Sequence, residues 1–172
     1  MKTVYMLVGN IGSGKSTWCN KFVEYSYHHK VDYIVEDGIR IDLGDGQYIY
    51  NKILEPIIKL HCLTGFELLL NKPSTDAIII DETNMALTSR SKYIDCIHTF
   101  NLYSEEKACI IAVVFPIIEK DIAVDRRMCC SSNFERQYWE DVWDYKSNRY
   151  QSPTTEEGFN EVWNLTLPEI GL

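Results

Sequence analysis

Lys15 and Ser16 sit near the end of a run, Gly9, Asn10, Ile11, Gly12, Ser13, Gly14, Lys15, Ser16 and Thr17, that fits the pattern G-x-x-x-x-G-K-[ST]. These residue types suit the holding of a nucleotide's phosphates. Glycines let the backbone curl around an anion and aim successive N–H groups inward. A helix starting near Lys15 adds the positive end of its dipole. Lys15 is expected to reach the β- and γ-phosphates, and the Ser16 hydroxyl to bind Mg²⁺. A glycine-rich turn with a surface lysine would also fit the pattern, so context decides. Thr3–Val8 is a short apolar run of strand formers, and Ser16–Tyr25 reads as a helix. Strand, loop and helix therefore follow in the required order.

Three further segments carry chemistry. Val35-Glu36-Asp37-Gly38-Ile39-Arg40 places an acid and a base three residues apart, on one face of a helical turn. Transfer of a phosphoryl group to an alcohol needs a carboxylate to accept the hydroxyl proton and a cation to hold the acceptor. Asp37 and Arg40 suit those tasks, and equally suit an N-cap carboxylate and a surface arginine. Ile80-Asp81-Glu82-Thr83-Asn84 ends an apolar run in a carboxylate. Asp81 is positioned to hold Mg²⁺ through water, with Glu82, Thr83 and Asn84 facing the cleft. Asn84 also suits a turn. Arg126 and Arg127 lie among acidic residues after the fourth apolar run. They read either as a lid closing over a transferring phosphate or as solvated helix arginines.

Positioning these groups requires a regular frame. Strands are expected at Thr3–Val8, Asp32–Val35, Ala77–Ile80 and Ala108–Phe115, with a late one near Val162–Leu165. Helices are expected at Lys15–Tyr25, Gln47–Leu70, Ser89–Phe100, Ile118–Met128 and Phe134–Lys146. Alternating strands and helices predict an α/β protein with a parallel central sheet flanked by helices. The runs IIID and CIIAVVF lack period-two alternation, as strands buried on both faces do. Ligands then gather at the carboxyl ends of the strands. Trp139 and Trp143, at i and i+4, are expected to pack on the sheet, with one aromatic of this region as an adenine stack the alternative.

The chain has 172 residues, 45% hydrophobic and 24% charged, which suits one soluble domain spanning 1–172. No apolar run nears the ~20 residues of a membrane span, and no signal peptide is evident, so the cytoplasm is expected. Six cysteines without C-x-x-C spacing read as reduced thiols, mostly in the core. His28 and His29 read as a solvated loop pair. A net charge of −8 disfavours non-specific binding along nucleic acid, leaving room for a chain end in a locally basic pocket.

Taken in order, GNIGSGKSTW, VEDGIR and IIIDETNM resemble the kinase domain of the bacteriophage T4 polynucleotide kinase family. EEGF near residue 157 resembles a C-terminal feature of related kinases. The resemblance spans nearly the whole chain. It implies a P-loop kinase fold with an arginine-bearing lid, and transfer of the γ-phosphate of ATP, with Mg²⁺, to the 5′-hydroxyl end of DNA or RNA. It implies Asp37 as general base and Arg40 as a clamp on the acceptor's phosphate. Glu82, Thr83 and Asn84 would line the acceptor side, and Arg126 would be the lid arginine. The chain departs from the phage pattern at Glu82, where that family has Asp, at Gly38 beside the base, and at Cys130, where a second lid arginine is expected. No phosphatase domain is expected within these 172 residues. The acceptor alternatives are a nucleoside or nucleotide, a modified base in DNA, a sugar or an antibiotic.

Overall fold

Apolar β-forming runs pair side by side into one parallel sheet. The computed structural model describes residues 1–28, 30–130 and 134–169. Among them lie five strands: β1 Lys2–Val8, β2 Val31–Ile34, β3 Ala77–Ile80, β4 Ala108–Val114 and β5 Glu161–Asn164. Their order is β2-β3-β1-β4-β5, all parallel, with Thr3 opposite Ala77 and Lys2 opposite Ala108. The helices are α1 Lys15–Tyr25, α2 Glu36–Leu43, α3 Glu55–Leu70, α4 Leu87–Tyr103, α5 Lys120–Cys130 and α6 Arg136–Ser147.

β1 sits at the centre and is buried along its whole length, which explains the unbroken apolar run Val4–Val8 that follows Lys2 and Thr3. Its alternate residues face two cores. Val4, Met6 and Val8 pack with Phe66 of α3 and Tyr93 and Ile97 of α4. Tyr5 and Leu7 pack with Trp18 and Cys19 of α1. β1 and β3 are neighbours, so the loop after β1 and the segment after β3 open onto the same end of the sheet.

The expected helix over Gln47–Leu70 begins later, at Glu55, with Pro56 in its first turn. Residues 44–46 form a turn in which Asp45 and Gly46 have positive φ, and a second turn is closed by Asn51, whose carbonyl accepts from the N–H of Leu54 and Glu55. The intervening stretch is thereby held away from helical geometry. α2 is a full helix where a single turn was expected. Cys19 and Cys62 are buried, Cys96 and Cys109 are partly so, and Cys129 and Cys130 are exposed. The thiols are free, but fewer lie in the core than expected. His28 hydrogen-bonds to the Tyr5 hydroxyl at 3.0 Å, while His29 lies outside the described residues.

Candidate active site

The phosphate loop runs from the end of β1 into α1. Gly12 and Gly14 have φ of 66° and 91°, which L side chains rarely adopt. Gly12 is also where α5 comes closest. A Cβ there would lie 2.3 Å from the Ala123 carbonyl oxygen. Arg126 of α5 donates to the Gly12 carbonyl at 3.1 Å. The side chain of Asn10 turns to α6, donating to the Trp143 carbonyl at 3.0 Å and to Ser147 Oγ at 2.8 Å. Its Oδ1 accepts from the N–H of Ile11. Asn10 thus ties the loop to α6 through its side chain. The buried Ser13 lies under the loop, while Thr17 is exposed on α1.

Lys15 Nζ lies inside the loop, bonded to the Gly9 and Asn10 carbonyls at 3.0 and 2.7 Å. Burial pushes its ammonium down to about 8, against the opposing pull of Asp81 and Asp37. Ser16 Oγ donates to Asp81 Oδ2 at 3.0 Å. This pair forms because β1 and β3 are adjacent. Burial raises the Asp81 pKa, against the pull of Lys15 and the Ser16 hydroxyl, with the charge of Asp37 adding to the rise. A hydroxyl and a carboxylate are hard oxygen donors that fit Mg²⁺ arriving with a polyphosphate. No protein cage of three or more His, Cys, Asp or Glu exists among the described residues.

Asp37 begins α2, one strand over from Asp81. Arg40 lies one turn on and is buried. Its guanidinium donates to Asp37 Oδ1 at 2.9 Å, to Glu36 at 2.9 Å and to Glu55 at 3.0 and 2.6 Å. The expected acceptor clamp is therefore occupied by three carboxylates, and it orients Asp37. From α5, Arg127 donates to Asp37 Oδ2 at 2.8 Å.

The segment after β3 is largely structural. Asn84 is buried with φ 46°, not cleft-facing as expected. Its Nδ2 donates to the Leu7 carbonyl at 2.9 Å, locking the segment to β1. The Thr83 carbonyl accepts from the N–H of Gly9 at 3.0 Å, which fixes the start of the phosphate loop. Glu82 accepts a short hydrogen bond from the Tyr93 hydroxyl, and burial raises its pKa, with the charge of Glu36 adding to the rise. Arg90, fully buried, donates to the Asn84 and Met85 carbonyls and to both oxygens of Glu157. The EEGF segment is thus a brace for the loop above it.

Trp139 lies in neither sheet-facing cluster. It packs with Tyr48, Phe134 and Tyr138 and against the Arg127 guanidinium that reaches Asp37, rather than lying on the sheet. Tyr48, Glu55, Arg90 and Arg127 are the contributors that sequence reasoning missed or left without a partner. Among the partners of Arg40, Asp37 and Glu36 had a local signal in their i, i+3 and i, i+4 spacing, whereas Glu55 had none. A cavity of about 690 Å³ lies elsewhere, between α1 and β5, lined by Tyr5, Phe22 and Trp163 among others. None of the groups just described lines it.

No family model and no curated protein matches the chain. Solved structures do. A fungal RNA kinase superposes with a TM-score of 0.66 at 20% identity, covering 96% of this chain and 74% of that one. A chain of the Pnkp1/Rnl/Hen1 complex superposes at 0.56 with 27% identity, over 78% of this chain and 41% of that one. Shikimate kinase from Acinetobacter baumannii gives 0.57 at 12% identity, over 99% and 87%.

The chain has the P-loop kinase fold. Within that fold the loop after β1 takes the place of the phosphate loop, and α5 packs against both that loop and α6. No helix among the described residues is long and apolar enough to cross a membrane.

Proposed function

We propose that the chain is a kinase that moves the γ-phosphate of ATP to an alcohol, with the 5′-hydroxyl end of a polynucleotide as the leading acceptor. One observation carries the reading. Lys15 and Ser16 at the start of α1, Asp81 at the end of β3 and Asp37 at the start of α2 converge: Ser16 donates to Asp81 at 3.0 Å, and the charges of Asp81 and Asp37 both act on the Lys15 ammonium. A donor-phosphate cradle and a carboxylate held by arginines therefore share one cleft. The fungal RNA kinase and Pnkp1 likenesses support the acceptor class, as does the order of the three motifs.

In this reading the loop N–H groups and Lys15 hold the β- and γ-phosphates. Ser16 and Asp81 hold Mg²⁺, which would neutralise charge on the phosphate oxygens. Asp37 accepts the proton of the acceptor hydroxyl as the new P–O bond forms and the bond to the departing ADP oxygen breaks. Arg126 borders the loop from the lid and stabilises the transferring charge. Glu82, Thr83 and Arg40 shape the acceptor side, Arg40 through Asp37.

The net charge of −8 and the shikimate kinase likeness favour a second reading, a small hydroxyl acceptor on the same machinery. Transfer of γ-³²P from ATP to a 5′-hydroxyl oligonucleotide separates the two. Wild type is expected to label the oligonucleotide, and Asp37→Asn to lose about 10²–10⁴-fold in kcat with ATP affinity unchanged. Full transfer by Asp37→Asn would sink the assignment of the base. Absence of labelled oligonucleotide, with ATP still bound, would shift the acceptor to a small molecule.

A further inference from the structure

Arg127 has no part in the chemistry above, yet it is bonded directly to Asp37. The two residues are 90 positions apart in sequence, and Arg127 Nη2 donates to Asp37 Oδ2 at 2.8 Å. Arg40 Nη1 holds the other oxygen, Oδ1, at 2.9 Å. The Arg127 guanidinium carbon lies 4.9 Å from the Tyr48 ring centroid and 4.5 Å from that of Trp139. Its side chain is 20% exposed and its Nε is buried without a hydrogen-bond partner among the described residues.

A loose surface ion pair would have neither feature. A planar cation held against two aromatic faces keeps its fork in one orientation. α5 is also fixed on the donor side, by the approach of Ala123 to Gly12 and by the Arg126 contact with the Gly12 carbonyl. Successive arginines of one helix thus touch the donor loop and the acceptor's base.

We propose that Arg127 is a positioning residue for Asp37, aiming the carboxylate from the lid so that the base is set only when α5 is docked on the phosphate loop. The inference rests on Asp37 being the base. An ionised carboxylate oxygen has more than one acceptor site, so Oδ2 can hold Arg127 and still receive the acceptor hydroxyl. Lysine cannot reproduce the arrangement, because a compact ammonium neither forks nor stacks as a guanidinium does.

The test is steady-state transfer to a 5′-hydroxyl oligonucleotide by wild type, Arg127→Ala, Arg127→Lys, Asp37→Asn and the Arg127→Ala/Asp37→Asn double variant. ATP binding and thermal unfolding are followed in parallel. Arg127→Ala is expected to lose at least about tenfold in kcat with the KM for ATP changed less than about threefold, the signature of an interaction needed for chemistry rather than donor binding. Arg127→Lys should recover only part. Methylguanidine in solution should raise the kcat of Arg127→Ala but not of the double variant. The double variant should be little worse than Asp37→Asn alone, because the two residues act as a unit.

A kcat within twofold of wild type for Arg127→Ala would overturn the proposal. So would a loss confined to the KM for ATP, or losses that multiply fully in the double variant. If Arg127→Ala fails to fold, full activity in Arg127→Lys would overturn it equally. Failure of wild type to label the oligonucleotide while still binding ATP is a different result. It overturns the polynucleotide acceptor, not the placing of Asp37, and the same variants are then compared on a small hydroxyl acceptor with the same criteria.

Discussion

Lys15 meets opposite demands before and after a nucleotide arrives. Burial pushes its ammonium from 10.5 down to about 8. Between those values the unfolded chain binds the extra proton and the folded chain does not, so this group makes stability rise with pH across that window. Below about 8 both states are protonated, and the folded state carries the whole desolvation cost. A bound polyphosphate supplies the missing counter-charge and favours the ammonium. Calorimetry in buffers of different ionisation enthalpy should show proton uptake of about half a proton per nucleotide near pH 8, rising toward about one by pH 9. Lys15→Met should abolish that uptake. Uptake unchanged in the variant would place the titrating group elsewhere. Arg90 poses a different residue-scale problem, since it is fully buried against Glu157. Removing one partner of such a pair leaves an uncompensated charge, so Glu157→Ala should cost about 3–5 kcal/mol in denaturant unfolding. A loss near zero would mean that the Asn84 and Met85 carbonyls suffice to hold the guanidinium.

Among the elements, α5 bears on the site most directly. Its backbone meets Gly12, at a φ where a Cβ is strained even without a neighbour. Gly12→Ala should therefore lift α5 from the loop, lower the unfolding temperature and weaken ATP binding at least about tenfold, since such backbone strain runs to about 1–3 kcal/mol. Titration with ATP checks this, and unchanged affinity would show that the loop binds without its lid helix. The boundaries of α1 and β3 were legible because a phosphate-loop lysine and a terminal aspartate punctuate them. The start of α3 was not, since the residues after Gly46 carry a helix-compatible pattern that the turns override. The Asp37–Arg40 spacing was local and readable. Glu55 and Arg127 reach the same carboxylate through tertiary packing, which no sequence period reports. Trp139 illustrates the same limit: periodicity marks a buried face but not the surface that covers it.

For the molecule as a whole, charge and acceptor must be reconciled. A chain carrying −8 repels a phosphate backbone, and Arg126 and Arg127 are the arginines beside Asp37 and the loop that are not enclosed by several carboxylates. Binding of a 5′-hydroxyl oligonucleotide should then involve about one to three phosphates, with a correspondingly shallow fall in affinity between 50 and 200 mM salt, of order Z in the log–log slope. Fluorescence anisotropy across that range, with oligonucleotides of increasing length, measures it. A steep slope growing with length would point to an extended basic track that the described surface does not suggest.

The central position of β1 has a consequence in time. Its partners begin at Ala77 and Ala108, so the first strand to leave the ribosome waits for two that come much later. At about 5–20 residues per second, some 5–20 s separate synthesis of Lys2 from synthesis of its partner in β4. Until then the glycine-rich loop hangs from a strand open on at least one edge, and the nucleotide site matures only after most of the chain exists. A nascent chain halted before β4 emerges should be unable to retain ATP. One halted after the lid has emerged should bind it.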